Sequence, residues 1–185
     1  PNDDWAVGAD GRIAVVRANG YFVEWHMSDG TVVSGPETPY EVHSIAYEDK
    51  EADLEESSGA GLAVMISRST SGEARMQMSR GGFGGGGDQP TVEDQEWGDE
   101  FPPFRQRRSR VTPFNEVWVQ RWLPVDREPM MDIFGPDGRL EGSVLIPRDR
   151  QLIGFGQASD GGLLAYLVRI DEVDLQWLER YRVVR

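Results

Sequence analysis

The sequence predicts an all-β chain: a propeller-like repeat of antiparallel four-stranded units, about three of them, interrupted by one acidic insertion. Three observations lead there. A strand–turn–strand segment recurs: Val7–Arg17 aligns without a gap on Val111–Arg121, and Gly156–Tyr166 forms a third copy. Asp-Gly pairs (Asp10-Gly11, Asp29-Gly30, Asp137-Gly138) sit between alternating apolar runs, the strongest short-range hairpin signal, and suggest type I′ turns. Finally, the whole order strand–turn–strand–loop–strand–turn–strand returns in the second copy. A β-sandwich shares the hairpins but has no reason to repeat that order.

Taken in chain order, residues 1–40 form the first blade, with strands over Ile13–Arg17, Tyr21–Met27 and Thr31–Ser34. Residues 41–100 form the insertion. It holds 14 Asp and Glu against Lys50, Arg68, Arg75 and Arg80, so it carries most of the chain's net charge of -13. Within it, Ser44–Ser57 reads as a helix with Ser44 as N-cap, Ile45 and Leu54 as a thin apolar stripe, and Gly59 as its stop. Leu62–Ile66 and Ala74–Met78, around Arg68–Gly72, read as a hairpin because the second run alternates strictly. Gly81–Gly87 is a Gly-rich tether: no Lys-Ser/Thr follows it, so it is no phosphate cradle. Residues 101–147 form the second blade, with strands over Met130–Phe134 and Arg139–Ile146, and residues 148–185 the C-terminal blade, with a strand over Asp174–Tyr181.

The patterns Ala9-Asp-Gly-Arg-Ile-Ala-Val15, Glu24-Trp-x-x-x-Asp-Gly30, Gly135-Pro-Asp-Gly-Arg-Leu-x-Gly142 and Leu175-Gln-Trp-Leu-Glu-Arg-Tyr-Arg-Val183 resemble the C-terminal half of bacterial six-bladed β-propeller proteins of the NHL-like kind. The resemblance covers residues 5–40 and 101–185 and rests on turn and strand signatures. It implies export to the periplasm or another extracytoplasmic space. Three blades are half of such a ring, so the expectation is that further blades precede Pro1 or that a partner covers the gap; unmanaged sheet edges are a liability.

Composition narrows function. The single Lys and the acidic balance argue against nucleic acid, whose phosphates need clustered cations. Zero Cys removes thiol nucleophiles and Cys-ligated metals. No apolar run approaches the roughly 20 residues of a membrane helix, so no transmembrane segment is expected. His26, opposite in phase to Trp25, and His43 lack HxH or HExxH spacing. Asp171, Glu172 and Asp174, and the Glu48–Glu56 cluster, lack the spacing of a calcium loop, and the Asp of each Asp-Gly pair is engaged in its own turn. No catalytic residue, metal or cofactor is assigned.

Trp25 and Trp177 fall at equivalent places, which marks them as packing residues between blades, and Trp118 and Trp122 read the same way. Outside the repeat, acidic Glu93–Glu100 and basic Arg105–Arg110 flank Phe101-Pro-Pro-Phe104. This segment reads as a docking arm, with Trp97, Phe101 and Phe104 as apolar anchors and Arg105, Arg107, Arg108 and Arg110 as an anion-seeking patch, the residue types enriched at interface cores. The expected function is a non-catalytic protein-binding scaffold, a peripheral extracytoplasmic subunit stabilising a larger assembly such as a membrane-embedded respiratory or photosynthetic complex. The alternatives are a divalent-metal-dependent lactonase- or hydrolase-like propeller enzyme and a soluble ligand-binding propeller.

Overall fold

A computed structural model describes residues 2–59, 62–68, 74–80, 91–171 and 175–184. They fall in two compact units, Pro1–His43 with Glu100–Arg185, and Ser44–Asp99. In chain order the elements are β1 (Asp4–Val7), β2 (Ile13–Arg17), β3 (Phe22–His26), β4 (Val32–Ser34), α1 (Tyr47–Gly59), β5 (Leu62–Arg68), β6 (Ala74–Arg80), a 3-10 turn (Val92–Asp94), β7 (Arg110–Val111), β8 (Val117–Gln120), β9 (Met130–Phe134), β10 (Leu140–Leu145), β11 (Arg150–Gln157), β12 (Leu163–Ile170) and β13 (Gln176–Arg182). The first unit holds three antiparallel meanders, ordered β1-β2-β3-β4, β7-β8-β9-β10 and β11-β12-β13, the architecture of propeller blades. The third has three strands among the described residues.

One turn is used five times. At Gly8, Met27, Thr112, Gly135 and Ala158 the N–H donates to the carbonyl four residues on, while the carbonyl accepts from the N–H three residues on. Only the residue three positions after each of these has positive φ: Gly11, Gly30, Asn115, Gly138 and Gly161, between 62° and 86°. These are three-residue loops, a type I turn followed by a left-handed residue, and so differ from the expected type I′ hairpins, which need positive φ at both central residues. The Asp keeps right-handed backbone because its carboxylate accepts the N–H two residues on: Asp10 from Arg12 (3.2 Å), Asp29 from Thr31 (2.9 Å), Asp137 from Arg139 (3.0 Å) and Asp160 from Gly162 (3.1 Å).

The same turns correct the alignment of the third copy. Ala158 takes the place of Gly8 and Thr112, so Gln157, and not Gly156, stands opposite Val7 and Val111. A slip of one residue exchanges the two faces of a strand. Leu163, Ala165 and Leu167 therefore correspond in phase to Ile13, Val15 and Arg17, and they face the middle sheet.

The three sheets stack face to face through two separate cores. Ala14, Val16, Val23 and Trp25 of the first sheet meet Val117, Val119 and Phe134 of the second. On the opposite face of the second sheet, Trp118, Met131 and Ile133 meet Leu152, Leu163, Ala165 and Leu167 of the third, with Ile146. The middle sheet is thus buried on both faces, and the outer two on one face each. Trp25 closes the first seam, its indole N–H donating to the Gly135 carbonyl at 2.9 Å. Trp118 packs edge-on against Phe155 in the second seam. Trp177 departs from expectation: its neighbour across the sheet is Arg169, whereas Trp25 pairs with Ala14, so the two are not equivalent. It is half exposed, its indole N–H donating to Asp171.

In the second unit, α1 begins at Tyr47, three residues beyond the expected cap. The Asp49 carboxylate reaches back to accept the Ala46 N–H (2.9 Å), which places the cap at Ala46. Leu62–Arg68 and Ala74–Arg80 pair antiparallel, as the alternation indicates. The Gly81–Gly87 run lies outside the described residues.

The two sheets of the first seam touch through bare backbone. A β-carbon on Gly35 would lie 2.0 Å from the Gly138 carbonyl oxygen, whereas one on Gly30 would meet open space. Gly30→Ala therefore costs about 1 kcal/mol, from left-handed strain alone, and Gly35→Ala about 3 kcal/mol, from forcing the sheets apart. Urea unfolding of both variants checks this; equal losses would contradict the seam.

Candidate partner-binding site

The segment after Glu100 runs along the edge of β8. Phe104 bridges to Arg121, the Arg105 N–H donates to the Gln120 carbonyl (2.9 Å), and β7 then pairs Arg110 with Trp118 and Val111 with Val117. Between those pinned flanks, Gln106–Ser109 bulges outward, with Arg107 at φ 61°. Gln106 and Arg107 are exposed.

The bulge is a strap across all three sheets. Gln106 Nε2 donates to the Asn2 carbonyl (2.9 Å), and the Ser109 N–H donates to the buried Asp4 carboxylate (3.2 Å), tying the second sheet to the first. Arg110 donates through Nε to the Ile153 carbonyl (3.1 Å) on the third, and through Nη1 to the Arg107 and Ser109 carbonyls. Burial holds the Arg110 guanidinium below its ordinary value, Arg108 adds to that, and Asp4 opposes it. Arg105 lies over the Trp122 ring at 5.3 Å.

The expected anchors fare differently. Phe104 is 1% exposed and belongs to the first core, 5.8 Å from Tyr21, and Phe101 is 4% exposed against Trp122. Neither is an outward anchor, because each fills a gap at the end of β8. Trp97 lies in the other unit, its indole N–H donating to the Val92 carbonyl (3.0 Å) with Lys50 above its ring. Of the expected site, Arg105, Arg107, Arg108 and Arg110 come together on one short strap.

A second cluster escaped the sequence. Asp132, 2% exposed, accepts from the Tyr21 hydroxyl of the first sheet (2.7 Å) and from Ser143 Oγ (2.6 Å), and pairs with Arg121 at 3.5 Å. Arg121 lies beside both the Tyr21 and Tyr40 rings, 5.6 and 5.5 Å from their centroids, and the two rings meet edge to face at 5.8 Å. The signal was present as a lone carboxylate in the apolar run Met130–Phe134. Asp171 accepts from Leu175 and Trp177, while Glu172 and Asp174 lie outside the described residues. Among the described residues no three acidic or His side chains are grouped to hold a metal ion, and no helix is long and apolar enough to cross a membrane.

No family model and no curated protein matches the chain. Two solved structures are similar to it: a streptogramin B lyase (12% identity, covering 98% of this chain and 54% of that one, TM-score 0.24) and a selenomethionine-substituted virginiamycin B lyase from Staphylococcus aureus (10% identity, 97% and 54%, TM-score 0.24). The chain spans about half the length of both.

Burial, and then the charge of Asp132, push the Tyr21 hydroxyl well above the ordinary tyrosine value, with Arg121 opposing. The folded protein thus retains a proton that the unfolded chain releases above about pH 10, so stability falls as pH rises beyond that point. Tyrosinate absorbance is expected to show one tyrosine titrating only as the fold is lost; titration of all five before unfolding would contradict the burial of Tyr21.

Proposed function

We propose that the chain is a non-catalytic, protein-binding propeller scaffold, and that it serves as a peripheral extracytoplasmic subunit of a larger assembly, for example a membrane-embedded respiratory or photosynthetic complex. The observation that supports this most is the strap. Four arginines within six residues are carried on a short bulge whose flanks are hydrogen-bonded to β8, whose Gln106 and Arg110 side chains reach the Asn2 and Ile153 carbonyls, and whose Ser109 N–H donates to Asp4. Rigid presentation of guanidinium groups favours recognition of carboxylates, since the planar fork loses little freedom on binding. The matching partner surface is acidic. Trp97, with its indole edge held by Val92, is a second contact on the insertion.

The extracytoplasmic location follows from the family resemblance and belongs to the same proposal. The competing reading is a metal-dependent lactonase-like enzyme. Both are tested on affinity-tagged chain recovered from its native source. Arg107→Glu with Arg108→Glu is expected to release a partner that wild type retains in fixed stoichiometry, because reversing rim charges acts mainly on association. Lactone hydrolysis by wild type, lost on chelation and restored by calcium or zinc, would overturn the scaffold reading.

A further inference from the structure

Arg121 is a buried guanidinium that leaves most of its hydrogen-bonding capacity unused. Its side chain is 9% exposed. Its backbone is fixed, the N–H donating to the Met130 carbonyl (2.9 Å) and the residue bridging to Phe104. Among the described residues only Nη1 has a partner, Asp132 at 3.5 Å, well beyond the roughly 2.7–2.9 Å of a strong charge-assisted bond. Asp132 does not depend on it, since one carboxylate oxygen accepts from Tyr21 (2.7 Å) and the other from Ser143 (2.6 Å). Nε is sealed from solvent without an acceptor, whereas Nη2 also lacks an acceptor but is not sealed. These two nitrogens share one edge of the guanidinium plane, an edge that can grip a carboxylate side-on. A buried donor without an acceptor is costly and calls for an occupant.

The repeat shows what such an edge takes. On the gapless alignment of Val7–Arg17 with Val111–Arg121, Arg17 holds the place of Arg121. Glu24, opposite Val15, likewise holds the place of Asp132, opposite Val119. In the first sheet the guanidinium is fully used: Nε and Nη2 close on Glu24 Oε2 at 2.9 and 2.8 Å, and Nη1 donates to Asp3 at 2.7 Å. Two carboxylates thus serve one arginine. In the second sheet the glutamate is replaced by an aspartate, one methylene shorter and already bonded to Tyr21 and Ser143, and it reaches Nη1 alone. The Nε–Nη2 edge, which Glu24 fills in the first sheet, is left empty.

We propose that this edge binds the carboxylate of a small organic acid, which completes around Arg121 the two-carboxylate arrangement present around Arg17. A planar monoanion matches both the fork and the local charge. Asp132 already offsets Arg121, so a dianion such as phosphate meets more repulsion than a carboxylate does. The body of the acid is aromatic or aliphatic, because the guanidinium lies beside the Tyr21 and Tyr40 rings. Access is narrow: Nη2 is open while Nε is enclosed, which admits a small molecule and not a folded protein surface. Bonding to Nε then requires the side chains around it to give way. The site joins residues of the first two sheets and is independent of the strap's partner.

The test titrates the 185-residue chain with sodium benzoate, inorganic phosphate and benzyl alcohol at matched ionic strength, following arginine Nε–H resonances by nuclear magnetic resonance. The Arg121 signal is identified in wild type by its Overhauser contacts to the Tyr21 and Tyr40 rings, so the reading does not require a variant to fold. Benzoate is expected to shift that resonance saturably and to slow its exchange with water, while phosphate and benzyl alcohol leave it in place. Arg121→Lys is expected to weaken benzoate binding about tenfold or more, because an ammonium cannot offer paired N–H groups in one plane. No saturable shift with benzoate overturns the proposal. So does an equal shift with phosphate or with benzyl alcohol, or a folded Arg121→Lys that binds benzoate as tightly as wild type.

Discussion

The hydrogen bond from the Tyr21 hydroxyl to the Asp132 carboxylate is the interaction on which the stack depends. A carboxylate taken out of water on a strand buried on both sides is tolerable only when its lone pairs are used, and a charge left unpaired there costs several kcal/mol. Here Tyr21, Ser143 and Arg121 supply the donors, and Tyr21 belongs to a different sheet. The first two sheets are therefore joined by a polar contact with one geometry in the middle of an apolar seam that by itself would tolerate sliding. Tyr21 takes up a left-handed backbone (φ 42°) to reach it, a strain that its surroundings must hold in place.

That joint sets the rest. With the sheets fixed at this spacing, Gly35 and Gly138 meet backbone to backbone, Trp25 reaches the Gly135 carbonyl, and Phe104 fills the end of the core beside Tyr21. Phe104 in turn pins the start of the arginine strap. The basic segment is consequently part of the scaffold on one side and exposed on the other, which separates it from a tethered arm.

Much of this was legible in the residues. Asp-Gly pairs located the β1–β2, β3–β4 and β9–β10 hairpins, and alternation assigned Trp25 and His26 to opposite faces. What escaped has physical causes. The turn class differed because an Asp side chain can serve its own backbone without left-handed φ, which the dipeptide alone does not reveal. The third copy slipped by one residue because Gly156, Gly161 and Gly162 give little side-chain pattern to set a phase. Phe101 and Phe104 looked like free anchors because exposed and buried aromatics read alike beside Pro-Pro. The Tyr21–Asp132 joint spans 111 positions of chain, and no local pattern encodes so distant a contact.

A double-mutant cycle measures that joint directly. Tyr21→Phe, Asp132→Asn and the pair, compared by urea unfolding, are expected to show a coupling of about 1–3 kcal/mol, since the two groups share one buried bond. Additive losses, with a coupling indistinguishable from zero, would contradict the claim that this contact holds the first two sheets together.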